Sequence, residues 1–156
     1  MSHRSPPLSV SLVGSWELVS RIDRTADGDR RIDPTLGEDP IALLIYDASG
    51  HFAAQFMKRD RSQPADAAVG TVTVGSSTNN SRAQGGYDAY FGEFTPDDER
   101  SSVTQTLRGA LSPENVGQTL TRAMTVEGDR LTIELDTVAA DGEPVSRTLI
   151  WRRVGA

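Results

Sequence analysis

The chain has 156 residues, with 22 acidic against 16 basic and a formal net charge of -6. That length suits one domain with a core of ordinary size, and the acidic balance leaves no basic patch fit to hold nucleic acid. Cysteine is absent and only His3 and His51 are present, which excludes disulfides, thiol nucleophiles, cysteine-ligated zinc and multi-histidine metal centres. Every basic residue except Lys58 is an arginine, so a Schiff-base mechanism has a single candidate, set in a charged run.

In chain order, residues 1–9 carry Pro6 and Pro7 and read as a disordered tail, with one domain over 10–156. From Gly14 the dominant period is two, the mark of half-buried strands: Trp16, Leu18, Ser20 and Ile22 alternate with Glu17, Val19, Arg21 and Asp23. Asp27-Gly28 marks a turn. The apolar run Ile41 to Tyr46 then leads through Asp47-Ala48-Ser49-Gly50 into His51 to Met57, a hairpin with Gly50 suited to a positive φ. No run is long enough to span a bilayer and no signal-peptide core follows the N-terminus, so the expectation is a soluble, cytoplasmic protein without a membrane partner.

Residues 62–86 are rich in Ala, Gly, Ser, Thr and Asn and read as a long flexible loop or lid, with a short strand conceivable at Val69 to Val74. Alternation resumes at Tyr87 to Phe94 and Val103 to Arg108, around a turn at Thr95 to Arg100. Ser112-Pro113-Glu114 opens a single helical turn that Gly117 stops. Thr119 to Val126 and Leu131 to Thr137 flank Gly128-Asp129, a strong two-residue hairpin signal, and Asp141-Gly142 turns the chain into Arg147 to Val154. Eight or nine short strands without a long amphipathic helix argue for a sandwich or a closed barrel. A barrel of about eight strands can enclose one small ligand.

Several motifs resemble the small bacterial and fungal lipocalin-like domain family of the lipocalin (calycin) superfamily. They are Gly14-Ser15-Trp16 with Arg153, Leu44-Ile45-Tyr46 with Gly50, Gln55 and Met57, Gly86 to Gly92, Val116-Gly117-Gln118 before Arg122, Gly128 to Leu131, and Trp151-Arg152-Arg153. They cover most of Leu12 to Val154 in order. The resemblance implies an all-β, up-and-down antiparallel barrel of about eight strands with a central ligand cavity. It also implies an arginine packed across the Trp16 plug and small-molecule binding, sometimes turned to isomerisation or cyclisation in secondary metabolism. Two departures stand out. Members often carry histidines where this chain has Gln105 and Thr106, and the Ser/Asn/Gly-rich loop replaces a segment expected to be more Ala/Glu-rich and partly helical.

Parity sets the expected interior. With Trp16 inward, Leu18, Ser20 and Ile22 follow, and Arg153 inward brings Trp151 and Leu149. The Gly128-Asp129 turn pairs Met124 with Ile133 and Arg122 with Leu135, which turns Arg122 into an apolar barrel, at a cost of several kcal/mol unless paired or wetted. A turn at Thr95 to Arg100 would set Tyr90 opposite Gln105 and Gln105 beside Arg122, a polar row with Asp88 one step up. Such donors suit a carboxylate, a β-dicarbonyl or an enolate, with Asp88 a candidate base. Candidate catalytic residues are therefore Tyr90, Arg122, Asp88 and Gln105. Candidate ligand contacts on the early strands are Trp16, Leu18, Ser20, Tyr46, Gln55 and Met57, with the interior parity of 41–46 and 51–57 open. Those on the later strands are Phe94, Leu107, Met124, Ile133 and Trp151. His51 reads as an exposed hairpin end, and no metal or cofactor motif occurs. The expected partner is one small organic molecule, the expected state a monomer or homodimer. The expected activity is a cofactor-free isomerase or cyclase on a natural-product intermediate, and a non-catalytic carrier is the rival.

Overall fold

A computed structural model describes residues 6–61, 85–139 and 141–155. Within them the alternating segments form β1 (Gly14–Thr25), β2 (Arg30–Arg31), β3 (Ile41–Tyr46), β4 (His51–Met57), β5 (Tyr87–Asp97), β6 (Ser102–Ala110), β7 (Thr119–Glu127), β8 (Arg130–Val138) and β9 (Pro144–Arg153). Every neighbouring pair is antiparallel. β1 bonds β3 along its first third and β9 along nearly its whole length, so eight strands close into a barrel with the two-residue β2 as an appendage. Closure gives each of the eight strands two neighbours, which is how an up-and-down barrel avoids edge pairing. Gly128, first of the two residues linking β7 to β8, has φ +59, as the tight primed turns of hairpins require.

The chain enters through one helical turn, α1 (Leu8–Ser11), where a tail was expected to run to residue 9. Leu8 is buried and its backbone N–H donates to Asp98 Oδ1 at 2.6 Å, tying the turn to the β5–β6 loop. This end is closed by Leu12 and Trp16, both without exposed surface. At the opposite end the segment after β2 folds over the strands and buries Leu36 completely in the same core. The rest of the 62–86 loop, including any strand at Val69 to Val74, lies outside the described residues except for Gly85 and Gly86.

One irregularity changes what the barrel contains. The β1–β9 register shifts between Leu18 and Ser20, leaving Val19 bulged and half exposed. One extra residue in a strand turns every later side chain to the other face. Beyond the bulge it is therefore Arg21 and Asp23 that are buried, not Ser20 and Ile22, as unbroken alternation predicts. A second shift, between Phe91 and Gly92, breaks the β5–β6 ladder. Gly92 is indispensable there in size: a Cβ would stand 1.9 Å from the Thr106 carbonyl oxygen.

Candidate functional site

A cavity lies among the inward-facing side chains of the barrel. Its polar lining comes from Tyr46 on β3, Tyr90 on β5, Gln105 on β6 and Arg122 on β7. Leu44, Phe56, Met124 and Ile133 supply part of the apolar wall, and Leu135, Leu149 and Trp151 complete it. The free space is about 30 Å³, enough for one or two waters. A ring-sized guest therefore needs side chains to swing aside, and half-buried Leu135 and unbranched Met124 are the pliant ones.

The inward parity of β7, β8 and β9 follows the hairpin pairing: Met124 lies opposite Ile133, Leu131 opposite Trp151, and Arg122 is 8% exposed. The expected polar row across adjacent strands does not form. β5 extends to Asp97 and pairs it with Ser102, so the turn sits further along than Thr95 to Arg100. Phe94 lies opposite Gln105, Tyr90 opposite Ala110, and Arg122 opposite Val103. Tyr90, Gln105 and Arg122 still meet, across the lumen rather than along the sheet.

Gln105 is held from the far wall. The Tyr46 hydroxyl donates to its Oε1 at 2.5 Å and lies 3.7 Å from the Met124 sulfur. Arg122 makes only a long bond, Nη1 to the Thr121 carbonyl at 3.4 Å; its buried Nη2 has no hydrogen-bond partner, and it joins no ion pair among the described residues. The buried Trp151 Nε1 is likewise without a partner. Burial pushes the Tyr46 hydroxyl well above its ordinary pKa, with Tyr90 adding to the shift and Arg122 opposing it. Tyr90 is raised by burial and then by Asp88, against the pull of Arg122, Arg147 and Arg21. Arg122 is lowered by burial; Arg147 pushes the same way, while Tyr90 and Tyr46 oppose it. Two neutral phenols and a poorly paired guanidinium thus share a largely apolar chamber.

Other expected contacts lie elsewhere. Asp88 is buried opposite Phe56, its Oδ1 accepting the Ala89 N–H at 3.0 Å, but it does not line the cavity. Trp16, Leu18, Phe94 and Leu107 belong to the packed core beyond the cavity wall, and Ser20 is turned aside by the bulge. Gln55 and Met57 face outward, because β4 turns Phe52, Ala54 and Phe56 inward instead; Gln55 accepts a hydrogen bond from the Tyr87 hydroxyl on the outer wall. Leu44, Phe56, Leu135 and Leu149 are lining residues that the candidate set lacks. The two phenylalanines on one face of β4 are the signal that picks its inner side.

Alternation also does not foresee a buried ionic cluster next to the Leu36 end. Arg147 donates to Asp23 through Nε at 2.8 Å and Nη2 at 3.0 Å, its directly opposed partner on β1. Arg21 Nη2 bonds Asp33 Oδ2 at 2.9 Å, and Thr35 holds the other Asp33 oxygen through its N–H and hydroxyl. Bidentate geometry and the added bonds are what allow such charges to be buried.

At the closed end Arg153 stacks on Trp16 and donates to the backbone of the entering turn. This plug and the closed barrel agree with the sequence comparison: residues 13–154 match the model of the lipocalin-like domain family. The chain belongs to that family. Among solved structures, the lipocalin-like chain is similar to a complex of bovine odorant-binding protein with a selenium-containing odorant. Identity is 11%, the match covers 100% of this chain and 78% of the other, and the TM-score is 0.47. No curated protein matches the sequence. No helix among the described residues of this lipocalin-like barrel is long and apolar enough to cross a membrane.

Proposed function

We propose that this lipocalin-like barrel binds a small, largely apolar organic molecule and holds its polar handle at Arg122. The observation that carries the reading is the Arg122 guanidinium, buried in an aromatic-lined cavity with an unpartnered Nη2. An unpaired buried charge costs several kcal/mol, so a site that keeps one is poised for a counter-charge from outside the chain. Native mass spectrometry of the purified protein tests this: a retained small molecule that is lost in Arg122→Ala supports it. An undiminished adduct in the variant argues against Arg122 as the anchor.

The finer reading is catalysis, a cofactor-free isomerase or cyclase working on a natural-product intermediate. Favouring it is the presence of Arg122 and the Tyr90 hydroxyl in one cavity, two donors placed to stabilise charge that develops on a carbonyl oxygen. Asp88, which does not line the cavity, does not touch the substrate in this scheme. Catalysis requires Tyr90→Phe to lower turnover far more than affinity. Equal losses in both would leave a carrier.

A further inference from the structure

The cavity is rich in donors and poor in acceptors. Arg122 Nη2 and Trp151 Nε1 are both buried N–H groups without a partner, and neither side chain can accept a hydrogen bond. The amide oxygen that could have served as acceptor, Gln105 Oε1, already takes the Tyr46 hydroxyl. No carboxylate is among the described lining residues. Asp23 and Asp33 lie at the Leu36 end of the barrel, bonded to Arg147 and Arg21. A guest that brings its own N–H or O–H finds only the phenol oxygens and the second lone pair of Gln105 Oε1 to receive it. A guest that brings acceptor oxygens meets two lining residues that each carry an N–H without a partner.

The two donors stand on different walls. Arg122 projects from β7 and Trp151 from β9, with Ile133 and Leu135 of β8 lining the space between. The remaining wall is largely aromatic: the Phe56 ring stacks with Tyr90 at 6.3 Å between centroids and meets Trp151 edge-on at 5.7 Å. Aromatic ring faces and little free volume favour a compact planar guest. From this, and resting on the binding function proposed above, we infer that the ligand is a planar organic anion that only accepts hydrogen bonds. Its carboxylate or enolate oxygen meets Arg122, and a second acceptor, such as a ketone oxygen, meets Trp151.

Titration calorimetry on the full chain tests the inference with benzoate, benzyl alcohol, benzylamine, toluene and para-acetylbenzoate. Benzoate is expected to bind about tenfold or more tightly than benzyl alcohol, with benzylamine weakest, as charge-assisted bonds to a buried guanidinium dictate. Arg122→Met brings benzoate down to the level of benzyl alcohol, whereas Arg122→Lys keeps part of the preference. The ketone of para-acetylbenzoate adds about fivefold over benzoate, the worth of one neutral hydrogen bond, and Trp151→Phe removes that gain. The wild-type ranking is decisive even if a variant does not fold. Benzyl alcohol or benzylamine binding as tightly as benzoate overturns the inference while leaving a binding cavity. Failure of all five compounds, toluene included, overturns the binding reading itself.

Discussion

The Arg153 guanidinium carbon sits 4.3 Å from the centroid of the Trp16 indole, and the same side chain donates to the carbonyls of Val13 at 2.9 Å and Ser11 at 2.6 Å. Trp16 in turn donates from Nε1 to the Leu12 carbonyl at 3.0 Å, so the last strand, the first strand and α1 share one joint. Arg153→Ala removes a cation–π contact and two hydrogen bonds, a loss of about 2–3 kcal/mol. Urea unfolding should register it as a lower midpoint with an unchanged slope. Arg153→Lys should recover less than half, because an ammonium cannot stack and bridge two carbonyls at once. Gly14 belongs to the same joint: it has φ +143, and a Cβ there would lie 2.8 Å from Arg153 Nη1.

The ionic cluster near Leu36 makes the barrel sensitive to acid. Burial alone would raise the Asp33 carboxyl, but the Arg21 charge and the Thr35 hydrogen bonds outweigh it and hold the pKa below its usual 3.8. Because the unfolded chain takes up this proton at a higher pH than the folded one, Asp33 stabilises the fold fully above the unfolded pKa. That contribution is lost as pH falls below about 3.8 and through the folded value. Asp33→Asn is expected to cost about 3 kcal/mol at neutral pH, in the range for breaking a buried pair. Unfolding midpoints of wild type and variant, followed by circular dichroism against pH, should converge as pH falls below the folded Asp33 value.

Gly92 carries the second irregularity. A Cβ on this residue would meet the Thr106 carbonyl oxygen at 1.9 Å and the Arg108 nitrogen at 3.0 Å, and neither backbone can yield without breaking the β5–β6 ladder. Gly92→Ala should therefore lower stability by about 3 kcal/mol, the upper range of overpacking. Gly128→Ala, where nothing lies within 4 Å, is strained only by its positive φ. It should cost about 1 kcal/mol. Thermal unfolding of the two variants side by side checks the order.

The closed barrel was legible because its signals are local: strand alternation, Asp47 to Gly50, Gly128-Asp129, and the Trp16–Arg153 ends all lie in short stretches of chain. Hairpin pairing across Gly128-Asp129 carried Arg122, Met124 and Ile133 to the correct face for the same reason. Part of what failed depended on a single-residue slip that alternation cannot register. Val19 looks like an ordinary outward residue, yet its bulge exchanges Ser20 and Ile22 for Arg21 and Asp23. Arg147 continues the inward parity of Arg153, Trp151 and Leu149, so half of the buried ion pair was readable. Its partner was hidden behind the bulge. Gln55 was misplaced because Tyr46 and Gln55 look equally apt on adjacent strands, while pairing sets Tyr46 against Phe52 and Gln55 against Leu43.

The two cavity phenols give the fold an alkaline limit. Burial, reinforced by Tyr90 at Tyr46 and by Asp88 at Tyr90, raises both hydroxyls above the usual 10.0 despite the opposing Arg122 charge. The folded chain thus keeps these protons where the unfolded chain has released them. Their neutral state contributes stability that is intact below the unfolded pKa and declines as pH rises above about 10. Tyr46→Phe removes one titrating group and leaves Gln105 Oε1 without its donor, at a cost of about 1–3 kcal/mol at neutral pH. The variant should nevertheless lose stability more slowly than wild type between about pH 10 and pH 11.5, because it has one fewer phenol to ionise on unfolding. Urea midpoints across that range measure both effects. A parallel fall in the two proteins would show that the Tyr46 hydroxyl ionises as readily in the barrel as in the open chain.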